Sequence, residues 1–150
     1  MKAYRLLVLL LVAGFMSAGC TREYYPGPDS ERSTGMTMVD FDVRSGNWVE
    51  RDGMYEVELS VPDITGRVLS RGNVQVSRRY PGEGNSDDTW TPLPAMRTEV
   101  TTAEDGGNFY YTTFIDYEWT VGSVFIYVTT SDLYTGERPS DMSFRVIITM

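Results

Sequence analysis

The chain contains no histidine. That removes the imidazole general base, the Ser-His-Asp triad and every histidine metal ligand. It contains one cysteine, Cys20, so no disulfide can close within it. Its one lysine is Lys2, which leaves a Ser-Lys pair dependent on the extreme N-terminus. All other basic side chains are arginines, which stay protonated and do not act as bases. Basic residues are also outnumbered, 13 against 21 acidic, for a formal net charge of −8, and a field of that sign opposes nucleic acid and anionic surfaces. Long apolar runs are missing except for Leu6 to Phe15, which is shorter than the roughly 20 apolar residues a spanning helix needs.

That one run has a purpose in its context. Lys2 and Arg5 precede it, and Met16-Ser17-Ala18-Gly19 and then Cys20 follow it. A basic start, an apolar core and a small-residue cleavage site make a secretory signal. Ser17-Ala18-Gly19-Cys20 resembles the lipobox of bacterial lipoproteins, with Ser17 standing where that family most often has Leu. The resemblance implies that Cys20 is the lipid attachment site and the first residue of the mature protein. The competing reading is an ordinary cleaved signal with an incidental cysteine, but it leaves an unpaired thiol in an oxidising compartment. A single acyl chain gives only marginal membrane binding; bacterial lipoproteins carry three, so the membrane is the expected partner through a permanent anchor. In that family an Asp after the cysteine retains the protein in the inner membrane. Thr21 stands there, so the outer membrane is expected, with the periplasmic face and the cell surface both open.

Residues 1–19 hold Lys2 and Arg5 and no acid, so the remaining 131 residues carry 21 acidic and 11 basic side chains, a net charge near −10. This is one domain of ordinary size, able to bury about two-thirds of its unfolded surface. Residues 20–35 read as the lipidated cysteine and a flexible tether, because Tyr24 to Gly35 is dense in Pro, Gly and Ser and has no apolar period. Such a coil spans roughly 20 Å, and at most about 50 Å extended.

Residues 36–150 read as the globular domain. Val39, Phe41 and Val43 alternate with Asp40 and Asp42, the period of a half-buried strand. After the turn Ser45-Gly46-Asn47, Trp48 is expected to plug one end of the core. Asp52-Gly53 is a hairpin signal. Tyr55, Val57, Leu59 and Val61 then alternate with Glu56, Glu58 and Ser60, which puts two carboxylates on a solvated face. Past Pro62, Asp63 can cap a short helix with Ile64, Val68 and Leu69 as its apolar side and Gly72 as its stop. Strand period resumes at Val74 and Val76. Tyr80 to Asp88 is a polar loop; its Asn85, Asp87 and Asp88 are oxygen ligands of the kind calcium takes, but their spacing is not that of an EF-hand, and an exposed loop is expected. Thr89 to Pro94 is extended and proline-stiffened, so it belongs at an edge. Strands follow over Ala95 to Thr102, Phe109 to Trp119, Val124 to Val128 and Phe144 to Ile148. The pattern predicts an all-β fold: a single antiparallel β-sandwich of about seven strands with one short helix, after a signal peptide and tether.

Gly46-Asn47-Trp48, Tyr55 to Val61, Pro62-Asp63-Ile64, Val68-Leu69, Gly72, Trp90 to Pro94, Gly122-Ser123-Val124 and Phe144 to Ile148 together resemble a group of short, uncharacterised lipoproteins from the Bacteroidota. Members often follow the cysteine with a collagen-like Gly-Pro segment, reduced in this chain to Pro26-Gly27-Pro28. The resemblance covers most of the chain from Cys20 onward and implies no activity. The expected function is a non-enzymatic envelope lipoprotein, a binding or structural β-sandwich of unknown ligand, with no cofactor, no metal site and no catalytic residue. Two alternatives stay open. Ten tyrosines and three tryptophans would suit a carbohydrate-binding module at the cell surface, although alternation puts most of these rings on faces that a sandwich buries. A carboxylate-based glycosidase needs two acids at fixed separation, and no pair stands out.

Cys20→Ala is expected to leave the protein soluble or uncleaved, while the parent labels with a radioactive fatty acid. A parent that takes up no label rules out the anchor.

Overall fold

Strict alternation sets the frame. In the computed structural model, which describes residues 21–24, 35–84, 86–102, 106–131 and 136–150, Tyr55, Val57, Leu59 and Val61 are all buried while Glu58 and Ser60 are exposed. The elements in chain order are β1 (Thr21–Tyr24), β2 (Met36–Val43), a 3-10 turn (Ser45–Asn47), β3 (Val49–Arg51), β4 (Met54–Val61), α1 (Gly66–Arg71), β5 (Asn73–Tyr80), β6 (Thr89–Pro92), β7 (Ala95–Thr102), β8 (Asn108–Thr120), β9 (Gly122–Thr130) and β10 (Met142–Thr149). They form two antiparallel five-stranded sheets. Sheet A runs β1-β2-β10-β5-β6 and sheet B runs β3-β4-β9-β8-β7. The protein is an all-β sandwich.

The core lies between the inward faces. Sheet A contributes Val39, Phe41 and Val43 from β2, Val74 and Val76 from β5, and Phe144, Val146 and Ile148 from β10. Register places Val146 between Val39 and Val76, and Phe144 beside Phe41. Sheet B answers with the four buried β4 residues, Val124, Ile126 and Val128 from β9, and Ile115 from β8. Full burial of each such side chain contributes about 1.5–3 kcal/mol. Trp48 closes one end as expected. It is 1% exposed and meets Phe144 edge to face, with ring centroids 6.3 Å apart and planes at 74°. A polar tie crosses between the sheets: Tyr117 on β8 donates its hydroxyl to the Val74 carbonyl on β5 at 3.0 Å.

The turns follow their sequence signals. Asp52 and Gly53 both take positive φ, 50° and 81°, as a two-residue type I′ hairpin between β3 and β4 requires. Gly72 ends α1 by donating its N–H to the Val68 carbonyl at 2.8 Å. A Cβ at that glycine would sit 2.6 Å from the Thr149 carbonyl, so the close approach of helix and β10 demands glycine there.

Several expectations need correction. Among the described residues ten strands form, against the expected count of about seven. β3 is only three residues long and carries no period, and β6 is a genuine proline-bounded edge strand. Thr21–Tyr24, expected within the tether, instead pairs with β2 along the rim of sheet A; residues 25–34 and the expected signal, residues 1–19, lie outside the described residues. Ile64, ahead of α1, and Val68 within it are buried but Leu69 is 53% exposed, because a helix of six residues turns only one narrow stripe inward. Thr65 stands at its N-cap position, two residues beyond Asp63. Among the described residues no helix is long and apolar enough to cross a membrane.

Leu59 is fully buried and Glu58 exposed on the same strand. Leu59→Ala is expected to cost about 2–5 kcal/mol, and Glu58→Ala no more than about 1 kcal/mol. Urea melts of the two variants measure the difference, and equal losses would reverse the assigned faces.

Candidate functional site

The alternation that builds the core does not stop where the core stops. On β5 the inward positions run Val74, Val76, Arg78, Tyr80, and register sets Arg78 directly beside buried Phe144. On β8 they run Ile115, Thr113, Tyr111, and on the adjoining β7 they are Ala95, Arg97, Glu99 and Thr101. At this end the facing surfaces therefore turn from aliphatic to polar. The chain helps to hold the edges together, since it leaves sheet A at Pro92 and enters sheet B at Ala95 within two residues. Leu93, buried in that crossing, donates its N–H to the Val76 carbonyl at 2.8 Å.

The result is a cleft of about 400 Å³ between the sheets, with Tyr55, Arg78, Glu99, Tyr111, Thr113 and Arg138 among its walls. Ligand pockets span roughly 300–1,000 Å³, so this one suits a small ligand. One of its charged walls is Arg78, which is half-buried. The guanidinium donates from Nη1 to the Tyr80 hydroxyl at 3.2 Å and lies 4.4 Å from the centroid of the same ring. Arg97 reaches that ring too, at 5.0 Å, so one tyrosine serves two cations. Arg78 Nε is buried and has no hydrogen-bond partner among the described residues. On the opposite wall Tyr111 donates its hydroxyl to Glu99 Oε2 at 3.0 Å. The cleft thus offers fixed donors, a fixed carboxylate and aromatic faces.

The sequence-derived candidates lie elsewhere. Cys20 is outside the described residues. Glu56 and Glu58 stand on the outer face of sheet B, as expected, in rows with Tyr127 and Phe125 of β9 and with Asp116 and Glu118 of β8. Their carboxylates are engaged: Glu56 pairs with Arg51 Nε at 3.6 Å, Glu58 accepts from Ser123 Oγ at 2.6 Å, and Glu118 accepts from the Tyr127 hydroxyl at 3.3 Å. Burial raises the Tyr127 phenol above its ordinary value, and the neighbouring Glu118 and Glu56 raise it further. In the 80–88 loop Asp88 accepts from Gly82 N at 3.1 Å and pairs with Arg79 Nε at 3.4 Å, which ties the loop to β5. Asn85 is outside the described residues. Among those described, no group of three acids, histidines or cysteines is placed to hold a metal.

Arg78, Glu99 and Tyr111 were not singled out from sequence as a site. The signal was present, since the period of Val74 and Val76 extends to Arg78 and Tyr80. A charged residue in phase with a core strand marks either a slipped register or an inward-facing cation.

No family model matches the chain, and no curated protein matches it. Among solved structures, the carboxy-terminal domain of the turkey type 3 siadenovirus fibre, avirulent form, complexed with 3-sialyllactose, is similar over 89% of this chain and 99% of that chain, at 9% sequence identity and a TM-score of 0.24. A score that low carries nothing over to this chain, neither fold nor ligand.

A raised phenol pKa means the folded state holds its proton where the unfolded tyrosine, ionising at about 10, releases it. The stabilisation from a neutral Tyr127 is therefore complete below about pH 10 and is lost as pH climbs through the folded value. Glu118→Gln is expected to lower the Tyr127 ionisation midpoint, read from the alkaline absorbance difference between each protein and its Tyr127→Phe counterpart. An unmoved midpoint would remove Glu118 as a cause and leave burial and Glu56.

Proposed function

We propose that the chain is an exported lipoprotein, held at the outer membrane through Cys20, whose β-sandwich binds a small saccharide in the cleft around Arg78 without catalysing a reaction. The observation that carries the binding half is Arg78 itself. A buried, unpartnered guanidinium nitrogen costs about 1–3 kcal/mol or more, and it sits in a hollow of ligand size. A hydroxyl or carbonyl oxygen of a bound ligand would satisfy it. Glu99 supplies an acceptor, the threonine walls supply hydroxyls, and tyrosine rings offer faces on which the C–H side of a pyranose can stack. Such mixed donors and acceptors around an apolar floor match a polyhydroxylated ligand.

Charge narrows the class. A mature chain with a net charge near −10 repels polyanions at a distance, whereas a neutral sugar meets no such barrier. The non-enzymatic half rests on composition: past residue 20 the chain has no histidine, lysine or cysteine, which removes most nucleophiles and bases that work at neutral pH. The anchor half rests on the basic-apolar-small pattern that ends at Cys20.

The test is a glycan array followed by calorimetry on the parent and on Arg78→Met. A neutral mono- or oligosaccharide is expected to bind the parent, and the variant at least about ten-fold more weakly, in line with the loss of one hydrogen bond to a charged group. Its melting temperature should hold, since the exchange also removes an unsatisfied buried nitrogen. A parent silent on the array, or a variant that binds equally well, defeats the reading.

A further inference from the structure

Sheet A ends on both sides in strands of four residues, one of them closed by Pro92. Sheet B ends on one side in the three-residue β3. Its other edge is different: β7 runs eight residues, with neither proline nor lysine inside it, and among the described residues no strand pairs with its outer side. Long open edges are what folded proteins normally blunt.

The direction of the free backbone groups on β7 follows from its neighbours. Ser131 N donates to the Thr112 carbonyl at 2.8 Å, and Thr112 N donates to Ser131 Oγ at 3.0 Å, so the peptide groups of Thr112 point toward β9. In an antiparallel ladder this direction alternates along the strand. Tyr111 and Thr113 therefore point toward β7, where Glu99 and Arg97 stand opposite them. Met96, Thr98 and Val100 are left with N–H and C=O turned outward. The same three residues form an exposed stripe, with Met96 74% and Val100 57% accessible, beside Phe114 at 43% and Tyr110 at 72%.

Met96-Arg97-Thr98-Glu99-Val100 is self-complementary when read against itself in the opposite direction. We propose that two copies of this chain associate by pairing β7 with β7 antiparallel about Thr98, which joins their B sheets edge to edge. Met96 then lies opposite the partner's Val100, and Arg97 opposite the partner's Glu99, twice over by symmetry. The outward peptide groups of Met96, Thr98 and Val100 meet those of the partner as hydrogen-bonded pairs. The charged residues take the non-hydrogen-bonded positions, where side chains approach most closely. On the outer face Phe114, Met96, the partner's Val100 and the partner's Tyr110 line up in one cross-strand row, and its twin lies on the other side of a central row of threonines. The exposed apolar stripe is thereby covered. Charge also fixes the register: a shift by one repeat either way sets Arg97 against the partner's Arg97 or Glu99 against the partner's Glu99, and like charges opposite one another repel.

Thr98→Cys in the full chain tests this in intact membranes. The two thiols would face each other at the centre of the pairing, at the separation of hydrogen-bonded partners, about 5.5 Å between Cα atoms, which a disulfide spans. Oxidation is expected to give a species of doubled mass on a non-reducing gel. Thr102→Cys should not link to itself, because its twin would lie about 27 Å away at ~3.4 Å per residue. In the Thr98→Cys background, Arg97→Glu or Glu99→Arg alone should cut the dimer about ten-fold, since two cross-strand pairs turn repulsive. The double reversal should restore it, which also shows that the single variants fold. A Thr98→Cys chain that stays monomeric or links to a different protein overturns the proposal. So do single reversals that link as well as their parent.

Discussion

Burial of β10 between β2 and β5 is the constraint on which the sandwich rests. Without a disulfide inside the chain, nothing covalent ties distant segments together. The work falls to the inward side chains of β10, which are enclosed by sheet B in front and by two strands alongside. The outer face of the same strand is fastened as well. Arg145 stands opposite Asp40 and makes a bidentate pair at 2.7 Å for both bonds, and its guanidinium lies 4.0 Å from the Trp90 ring centroid. Both side chains are mostly shielded, 26% and 20% accessible, so the pair is screened less than an exposed one, and its two-pronged geometry fixes the register of β10 on β2. Apolar burial supplies the energy, and the ion pair specifies the alignment.

Core and cleft come from one alternation. Period-two alternation sends every second residue inward whatever its chemistry, so a strand that outruns its apolar residues must carry polar ones into the space between the sheets. Against Phe144, Trp48 fills that space. Arg78 stands beside the same Phe144 by register, and where it faces Glu99 and Tyr111 across the sheets a hollow remains. The two buried nitrogens without partners among the described residues mark the contrast. Trp48 Nε1 is enclosed by the packed core, whereas Arg78 Nε belongs to a residue that lines a cleft.

The parts of this fold legible in sequence are those where burial and period agree. Tyr55 to Val61 shows four alternating apolar residues, and Phe144 to Ile148 three, and each lies where its pattern puts it. Asp52-Gly53 gives its hairpin because both central residues need positive φ. β3 has three exposed residues and no period, so its pairing is dictated by the hairpin and not by its own side chains. β1 sits in a segment whose composition suggests coil, and only its register on β2 makes it a strand. The exposure of Leu69 reflects the shortness of α1. The rings of β8 divide unevenly: Ile115 is buried, yet Phe109, on the same face, is 61% exposed because the strand outruns the facing sheet there. Alternation gives the side of a strand but not how far the opposing layer extends, and the cleft exists because of that second quantity.

The position of β10 also governs the order in which the molecule can form. Residues 142–149 must arrive before sheet A has a middle; until then β2 and β5 have no common neighbour, and the 29 residues 44–72 separate them. Sheet formation is thus long-range, and such topologies close slowly. Sheet B, by contrast, holds all five of its strands within residues 49–130, so it can pair without β10 and offer its inward face as the surface on which sheet A closes.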